Sequence, residues 1–468
     1  MRGVYPVAQI RAAEQVLLAR LPEGALMQRA AHALSVQCAD LLDGVYGARV
    51  ALLVGGGNNG GDALFAGARL ARRGARVTAV PVDAGRVHGA GLAALLRAGG
   101  RVGGAVPDGA DLVVDGMFGI GGRAGLTGRA ADLAAAAQGY RTVAVDVPSG
   151  VDADAGASGG RAVRADVTVT FGALKTGIVA GDGAVAAGQV RLVDIGLDLP
   201  AAHAHVLEAA DAAGLLPRPG AHDDKYTRGV VGVVAGCEQY AGAGVLATGA
   251  AVHGGAGLVR YLGRAPEPVR ARYPEVVVHP GALPGQVQVQ AWVVGPGLGT
   301  DGAAHDLLRG VLATDVPVIA DADAITMIAS DPGLVRERAA PTVLTPHDHE
   351  FARLAGEVGP DRLGAARRAA AGIGAIVLLK GDVTVVAAPD GTAYLNPTGT
   401  PWLGTAGSGD VLSGLVGALL AGGLEPALAA ATGAFVHGVA GQQAAAAGPP
   451  SATDVLAAIP RATATLAR

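Results

Sequence analysis

Lysine is almost absent from this chain. Of 36 basic residues only Lys175, Lys225 and Lys380 are lysine. Lysine is a compact point charge and arginine a planar fork, so a position that keeps lysine against this bias is a candidate for a site that needs the former. Asparagine is as scarce, confined to Asn58, Asn59 and Asn396. Aromatic residues make up 3% of a chain that is 50% hydrophobic, so Ala, Val and Leu must fill the cores. The two cysteines, Cys38 and Cys237, stand far apart and form neither a metal nor a redox motif, which fits a reducing cytoplasm. No stretch supplies the roughly 20 uninterrupted apolar residues of a spanning helix. The most hydrophobic region, Val411 to Ala447, is broken by Glu425 and Pro426, and Arg2, Arg11 and Glu14 interrupt any signal-peptide core. A net charge of −4 leaves no electrostatic footprint for nucleic acid or anionic lipid, so the expected partners are small molecules.

Glycine, by contrast, is plentiful, and much of it falls directly after short apolar runs. Helical spacing over residues 10–42, split by Pro22-Glu23-Gly24, predicts two N-terminal helices. Arg49 to Val54 reads as a buried strand feeding Gly55-Gly56-Gly57-Asn58-Asn59-Gly60-Gly61-Asp62, after which a helix is predicted from Ala63 to Arg73, stopping at Gly74. A glycine loop alone also reads as a tight turn. The paired amides of Asn58 and Asn59 add donors and carbonyl oxygens that a turn does not require. Further runs at Val77 to Val82, Leu112 to Val114, Thr142 to Val145, Val167 to Phe171 and Val190 to Val193 alternate with helical or glycine-rich segments, which argues a largely parallel sheet of βαβ units. Ligands of such sheets bind beyond the C-terminal strand ends. Three polar clusters fall there: Asn58 to Asp62, Asp115 to Gly121, and Asp146 to Asp152. Singly, each serves as well to cap a helix or turn; together they outline a site.

At 468 residues the chain exceeds one ordinary core, and two domains are expected. A proline-marked connector between roughly 200 and 220 separates a first domain, 1–205, from a second, 218–468. In the second, Val230 to Ala235, Trp292 to Val294, Val318 to Ala320, Val343-Leu344 and Ile376 to Leu379 are apolar strands ending in Gly, Asp, His or Lys, which predicts another α/β domain with its own site. Gly404 to Gly414 then delivers Asp410 onto a segment with Val411, Leu412, Leu415, Val416, Leu419 and Leu420 at helical spacing. Gly407 to Asp410 should open a helix whose free N–H groups and dipole attract phosphate. Asp410 is there either as a general base or as a structural acid at a helix start.

Lys380-Gly381-x-x-Thr384 with Gly407-Ser408-Gly409-Asp410 resembles the nucleotide site of ribokinase-like folds. With Thr345-Pro346-His347-x-x-Glu350, Gly295-Pro296-Gly297-Leu298-Gly299 and Asp321-Ala322-Asp323-Ala324, the second half resembles the ADP-dependent NAD(P)H-hydrate dehydratases. Through Gly57 to Asp62 and Asp146-Val147-Pro148-Ser149-Gly150, the first half is similar to the NAD(P)H-hydrate epimerases, a Rossmann-like sandwich. In this order the halves resemble the bifunctional NAD(P)H-hydrate repair enzymes over nearly the whole chain.

The resemblance implies an enzyme that interconverts the R and S epimers of hydrated NADH or NADPH and dehydrates the S form with ADP, releasing AMP and phosphate. It implies that Asn58, Asn59, Gly60, Gly61 and Asp62, with Gly119, Ile120, Gly121, Gly122, Arg123, Ala124 and Gly125, hold the damaged dinucleotide, and that Asn59, Asp115 and Ser149 ligate K⁺. Asp146 would bind substrate and serve as acid/base; Lys175 is a second candidate, its alternative being a surface lysine. In the second half Ala243, Gly297, His347 and Asp410 would contact the hydrate, although His347 reads equally as a loop histidine. Lys380, Gly381, Asp382, Val383, Thr384 and Gly409 would contact ADP, with Mg²⁺ and the anion-binding loop stabilising the transferred group. Cys237 stands where a small hydroxyl residue is expected, which puts the phosphate contacts of its loop in question. A homo-oligomer without nucleic-acid or membrane partners is expected. The alternative is a ribokinase-like kinase for a vitamin or sugar alcohol fused to a dinucleotide-binding domain. A non-catalytic binding protein is disfavoured, because the polar clusters are kept despite the compositional bias.

Overall fold

Strands buried on both faces follow from apolar runs without polar alternation, because a parallel sheet carries helices on each side. The computed structural model describes residues 1–467. It forms two compact units, one of Gly3–His203 and one of Met1–Arg2 with the chain from Ala204.

In the first unit, strand β1 (Arg2–Tyr5) precedes helices Val7–Leu18 and Ala25–Asp40, the pair predicted around Pro22. The strands that follow are β2 (Arg49–Val54), β3 (Arg76–Pro81), β4 (Arg101–Val102), β5 (Leu112–Gly116), β6 (Thr142–Val145), β7 (Val167–Phe171), β8 (Leu174–Lys175) and β9 (Gln189–Val193). Seven of them make a parallel sheet in the order β4-β3-β2-β5-β6-β7-β9. Alternate residues of β2 enter opposite cores: Val50, Leu52 and Val54 on one face, Ala51 and Leu53 on the other. The register pairs Asp115 with both Leu53 and Ala144, so the loops after β2, β5 and β6 leave one edge together. Separately, Val4 and Tyr5 of β1 pair with Leu174 and Lys175 of β8, which pins Lys175.

One boundary differs from expectation. The helix after β2 begins at Asn58, five residues before Ala63, and takes the two asparagines into its first turn. Glycine's poor helix propensity hid this start. Gly60 is nevertheless required, since a Cβ there would lie 2.1 Å from the Gly55 carbonyl oxygen.

The second unit contains β10 (Ala204–Val206), β11 (Val230–Val234), β12 (Leu258–Tyr261), β13 (Val277–Val278), β14 (Ala291–Val294), β15 (Val318–Ala320), β16 (Thr342–Leu344), β17 (Ile376–Leu379), β18 (Thr384–Ala387) and β19 (Ala393–Asn396). Their order is β13-β12-β11-β14-β15-β16-β17-β18-β19-β10. Pairing is parallel from β13 to β17 and antiparallel through β17-β18-β19. Val234, Val294, Ala320, Leu344 and Val377 stand in register, so the loops after five strands again share an edge. Helices Ala241–His253 and Ser408–Ala421 cover this sheet at close range: a Cβ on Gly414 would sit 2.0 Å from the Ala247 carbonyl oxygen.

The connector is more ordered than its prolines suggested. It holds β10, whose Val206 pairs with Leu395, and a helix, Ala209–Leu215, capped reciprocally by Glu208 and Asp211. A three-residue strand is too short for periodicity to reveal, but the Glu-x-x-Asp cap was readable. Among the described residues no helix is long and apolar enough to cross a membrane.

Candidate active sites

In the first unit, the turn after β6 places Asp146 at φ 67°, a left-handed conformation unusual for a residue with a Cβ and often held at functional sites. Its Oδ1 meets Lys175 Nζ at 2.5 Å and accepts from Thr170 Oγ1 at 3.2 Å and the Phe171 amide at 3.3 Å. Lys175 is 1% exposed and also donates to Thr170 Oγ1 and the Phe171 carbonyl, both at 2.9 Å. The surface-lysine alternative therefore falls, and the two residues form one buried ion pair.

Asn59, Asp115 and Ser149 converge beside it. Ser149 donates its hydroxyl to Asp115 Oδ1 at 2.6 Å and its amide to Oδ2 at 2.8 Å. Asn59 Nδ2 donates to the carbonyls of Phe118 and Val145, each at 2.9 Å, which leaves its Oδ1 toward Gly119, where a Cβ would lie 2.9 Å away. Burial pushes the Asp115 carboxyl up to about 6, against the hydrogen bonds from Ser149 and Met117. In the loop 119–125, Gly125 donates to the Gly150 carbonyl at 2.9 Å and Arg11 reaches the Ile120 carbonyl at 3.3 Å, whereas Arg123 and Ala124 are exposed. Asp62 is buried, and burial followed by the charges of Asp146 and Glu14 pushes its carboxyl well above the ordinary range. Glu14, from helix Val7–Leu18, is raised too, first by burial and then by Asp146. Sequence reading missed Arg11 and Glu14, because the helical pattern around them looked purely structural.

In the second unit Gly407, at φ 88°, turns the chain into helix Ser408–Ala421 and sets Gly409 and Asp410 in its first turn. A Cβ on Gly409 would be 3.4 Å from Lys380 Nζ. Lys380 is held by Asp321 Oδ1 at 2.9 Å and Glu350 Oε2 at 3.6 Å, and Ser413 Oγ donates to Asp321 Oδ2 at 2.8 Å. Burial, then the Asp321 charge, pushes the Asp410 carboxyl up to about 7; Lys380 opposes this, and Asp323 and Glu350 add to it. Beneath the loop, His437 is buried with its Nε2 unpartnered, and burial takes its imidazole down to about 4.

His347 caps helix Asp348–Ala355: Nδ1 accepts from His349 N at 3.1 Å, while the His347 amide donates to Glu350 Oε2 at 2.8 Å. It is thus a loop histidine with a structural task, half exposed at the site's rim. The Lys380 amide bonds the Pro346 carbonyl at 2.9 Å, joining the two loops. Gly381 and Asp382 are exposed between β17 and β18, and Val383 and Thr384 are buried. Gly297 and Ala243 touch, since a Cβ on the glycine would lie 2.7 Å from that of Ala243. Tyr240, which also packs on Gly297, lines a cavity of about 760 Å³ with Cys237, Arg264, Asp301 and Asp323 among others. Lys380 turns inward onto Asp321 and Glu350, which the sequence offered only as members of motifs, and Ser413 and His437, not singled out from sequence, complete the cluster. The Asp after β15 and the Glu three residues beyond His347 were the available signals.

The chain matches the family model described as YjeF-related protein N-terminus over residues 23–177, and that described as NAD(P)H-hydrate dehydratase over residues 231–461. It is 52% identical over 445 residues to the bifunctional NAD(P)H-hydrate repair enzyme of Mycobacterium leprae, covering 93% of each chain. It is 53% identical over 441 residues to the Mycobacterium tuberculosis enzyme of the same description, covering 92% of each. Among solved structures, an ADP/ATP-dependent NAD(P)H-hydrate dehydratase from Bacillus subtilis, co-crystallised with ATP/Mg²⁺, is 26% identical with a TM-score of 0.50. That match covers 56% of this chain and 98% of the other. A ribokinase-like superfamily protein from Enterococcus faecalis is 27% identical with a TM-score of 0.52, over 58% of this chain and 99% of its own.

Proposed function

This chain belongs to the family of bifunctional NAD(P)H-hydrate repair enzymes, and on that premise we propose that it epimerises hydrated NADH and NADPH in its first unit and dehydrates the S epimer with ADP in its second. The observation that carries the second activity is the meeting of Ala243 with Gly297, and of Gly409 and Asp410 with Lys380, on one sheet edge. A ring hydroxyl is a poor leaving group. Asp410, poised near neutrality, takes its proton, and the oxygen attacks the terminal phosphoryl of ADP, expelling AMP. The C–O bond then breaks with loss of the neighbouring ring proton, releasing phosphate and NAD(P)H. The N–H groups at the start of helix Ser408–Ala421 stabilise the charge that develops on the phosphoryl oxygens.

In the first unit Asp146, clamped by Lys175, is the acid/base at the hydroxylated carbon, and the loops 58–62 and 119–125 hold the dinucleotide. K⁺ fits beside it. Asn59 Oδ1, the Asp115 carboxylate and Ser149 offer hard oxygens, and Asp115, buried and raised to about 6 by that burial, lacks a compensating cation among the described residues. A bound K⁺ would supply fixed positive charge near the substrate phosphates. Mg²⁺ fits as an ion carried by nucleotide phosphates, which needs only one or two carboxylates from the protein, and Asp323 at the cavity wall would supply one.

The test is to give separated R and S hydrates to the full chain with and without ADP. Without ADP, R and S should only interconvert; with ADP, S should be consumed as NADH absorbance returns, and R should follow by way of S. A stable phosphorylated product would overturn the dehydratase reading.

A further inference from the structure

Epimerisation at a carbon bearing both a hydroxyl and a ring nitrogen can run by breaking the C–O bond on one face and forming another on the opposite face, in place of opening the C–N bond. One group must protonate the departing oxygen while another takes a proton from incoming water. Asp146 is bound in an ion pair with Lys175, and a second carrier is needed.

Asp62 has the required character. It sits in the early turns of helix Asn58–Arg72, is 9% exposed, and its Oδ1 is buried without a hydrogen-bond partner. A buried carboxylate oxygen left unpaired costs far more than the same oxygen in a neutral carboxyl. The charges it feels are anionic, those of Asp146 and Glu14, whereas Asp146 itself is paired with the Lys175 ammonium at 2.5 Å, so the two carboxyls stand in different surroundings. Glu14 is only half-buried and belongs to the same cluster, with Lys175 and Arg11 as its cationic neighbours.

Resting on the epimerase reading, we propose that Asp62 is the second catalytic residue of the first unit, that it donates a proton to the leaving hydroxyl while Asp146 accepts one from water, and that Glu14 returns the proton from solvent. The hydroxyl leaves as water with the C–O electron pair, and the ring nitrogen's lone pair stabilises the carbon as an iminium. Water adds to the other face and its proton passes to Asp146. Proton exchange through Glu14 then resets the pair, and no oxidant or co-reactant is consumed.

The experiment uses the full chain in heavy-oxygen water with the R hydrate, scoring S formed and its oxygen label against an enzyme-free control. Each turnover should place one solvent oxygen in the product, and unlabelled S would overturn the route. Asp62→Asn should lower kcat for epimerisation by about 10²–10⁴-fold while ADP-dependent loss of S in the second unit persists. Epimerisation at the unaltered rate would overturn the assignment. Glu14→Gln, at a half-exposed position, should reduce kcat about tenfold without changing KM, and an unchanged kcat would remove Glu14 from the relay. If the unaltered chain does not interconvert R and S while still consuming S, the epimerase reading itself fails, a result distinct from these.

Discussion

Asp321 presents Oδ1 to Lys380 Nζ at 2.9 Å and gives its other oxygen to Ser413, so both sides of a fully buried carboxylate are fixed. Burial opposes its charge, yet Lys380 and the hydroxyls keep the Asp321 carboxyl below its ordinary value. A permanent anion therefore faces Asp410, and that charge is what a general base working near neutrality requires.

Replacing Asp410 by Asn should cut ADP-dependent recovery of NADH absorbance by about 10²–10⁴-fold and leave R-to-S conversion intact. Both are read in one assay on the full chain. Normal repair would remove Asp410 from the mechanism.

The dehydration rate should follow the Asp410 proton. The base form is required and the carboxyl titrates at about 7, so the rate falls as pH drops below that value. Asp321→Asn deletes a charge that raises it, and the acid limb should move to lower pH. Stability has the opposite sign: between 3.8 and about 7 the folded chain keeps a proton the unfolded chain has lost, so this group's contribution declines as pH rises through that window.

Potassium should raise the unfolding temperature, because a ligand bound only by the folded state stabilises it by mass action. Asp115 retains its proton up to about 6, and protons compete with the cation. The increment should therefore be larger near pH 8 than near pH 5, on the order of a few degrees, and should vanish in Asp115→Asn. Calorimetry with K⁺ against a bulky organic cation decides it.

Lys175→Met should abolish epimerisation and cost about 3–5 kcal/mol by stranding Asp146. Lys175→Arg should not restore activity, since the pocket fits one ammonium among Asp146, Thr170 and Phe171 and a planar fork needs more room. Full activity in the Arg variant would refute the fit.

His437 predicts an acid sensitivity. Its folded value of about 4 lies below the ordinary 6.5, so its stabilisation is complete above 6.5 and is lost as pH falls toward 4. His437→Gln should flatten the loss of unfolding temperature across that window.

Much of this was legible in the chain. Apolar runs ending in glycine or acid marked the strands whose registered ends carry both sites, and lysine scarcity pointed to Lys175 and Lys380, each found in an ion pair with an aspartate. What escaped was set by tertiary packing. Glu14 reaches the first site only because helix Val7–Leu18 folds beside it, and the inward turn of Lys380 toward Asp321 joins residues 59 positions apart. Spacing along a chain does not encode that distance.

With Lys175 buried and Lys380 held between two carboxylates, Lys225 is the remaining lysine, exposed and lying 5.1 Å over the Tyr226 ring. Cys38 is buried as well, its thiol pushed up to about 12. Amine-directed acylation of side chains should thus mark this chain at Lys225, which offers a single attachment point for surface immobilisation or a fluorophore.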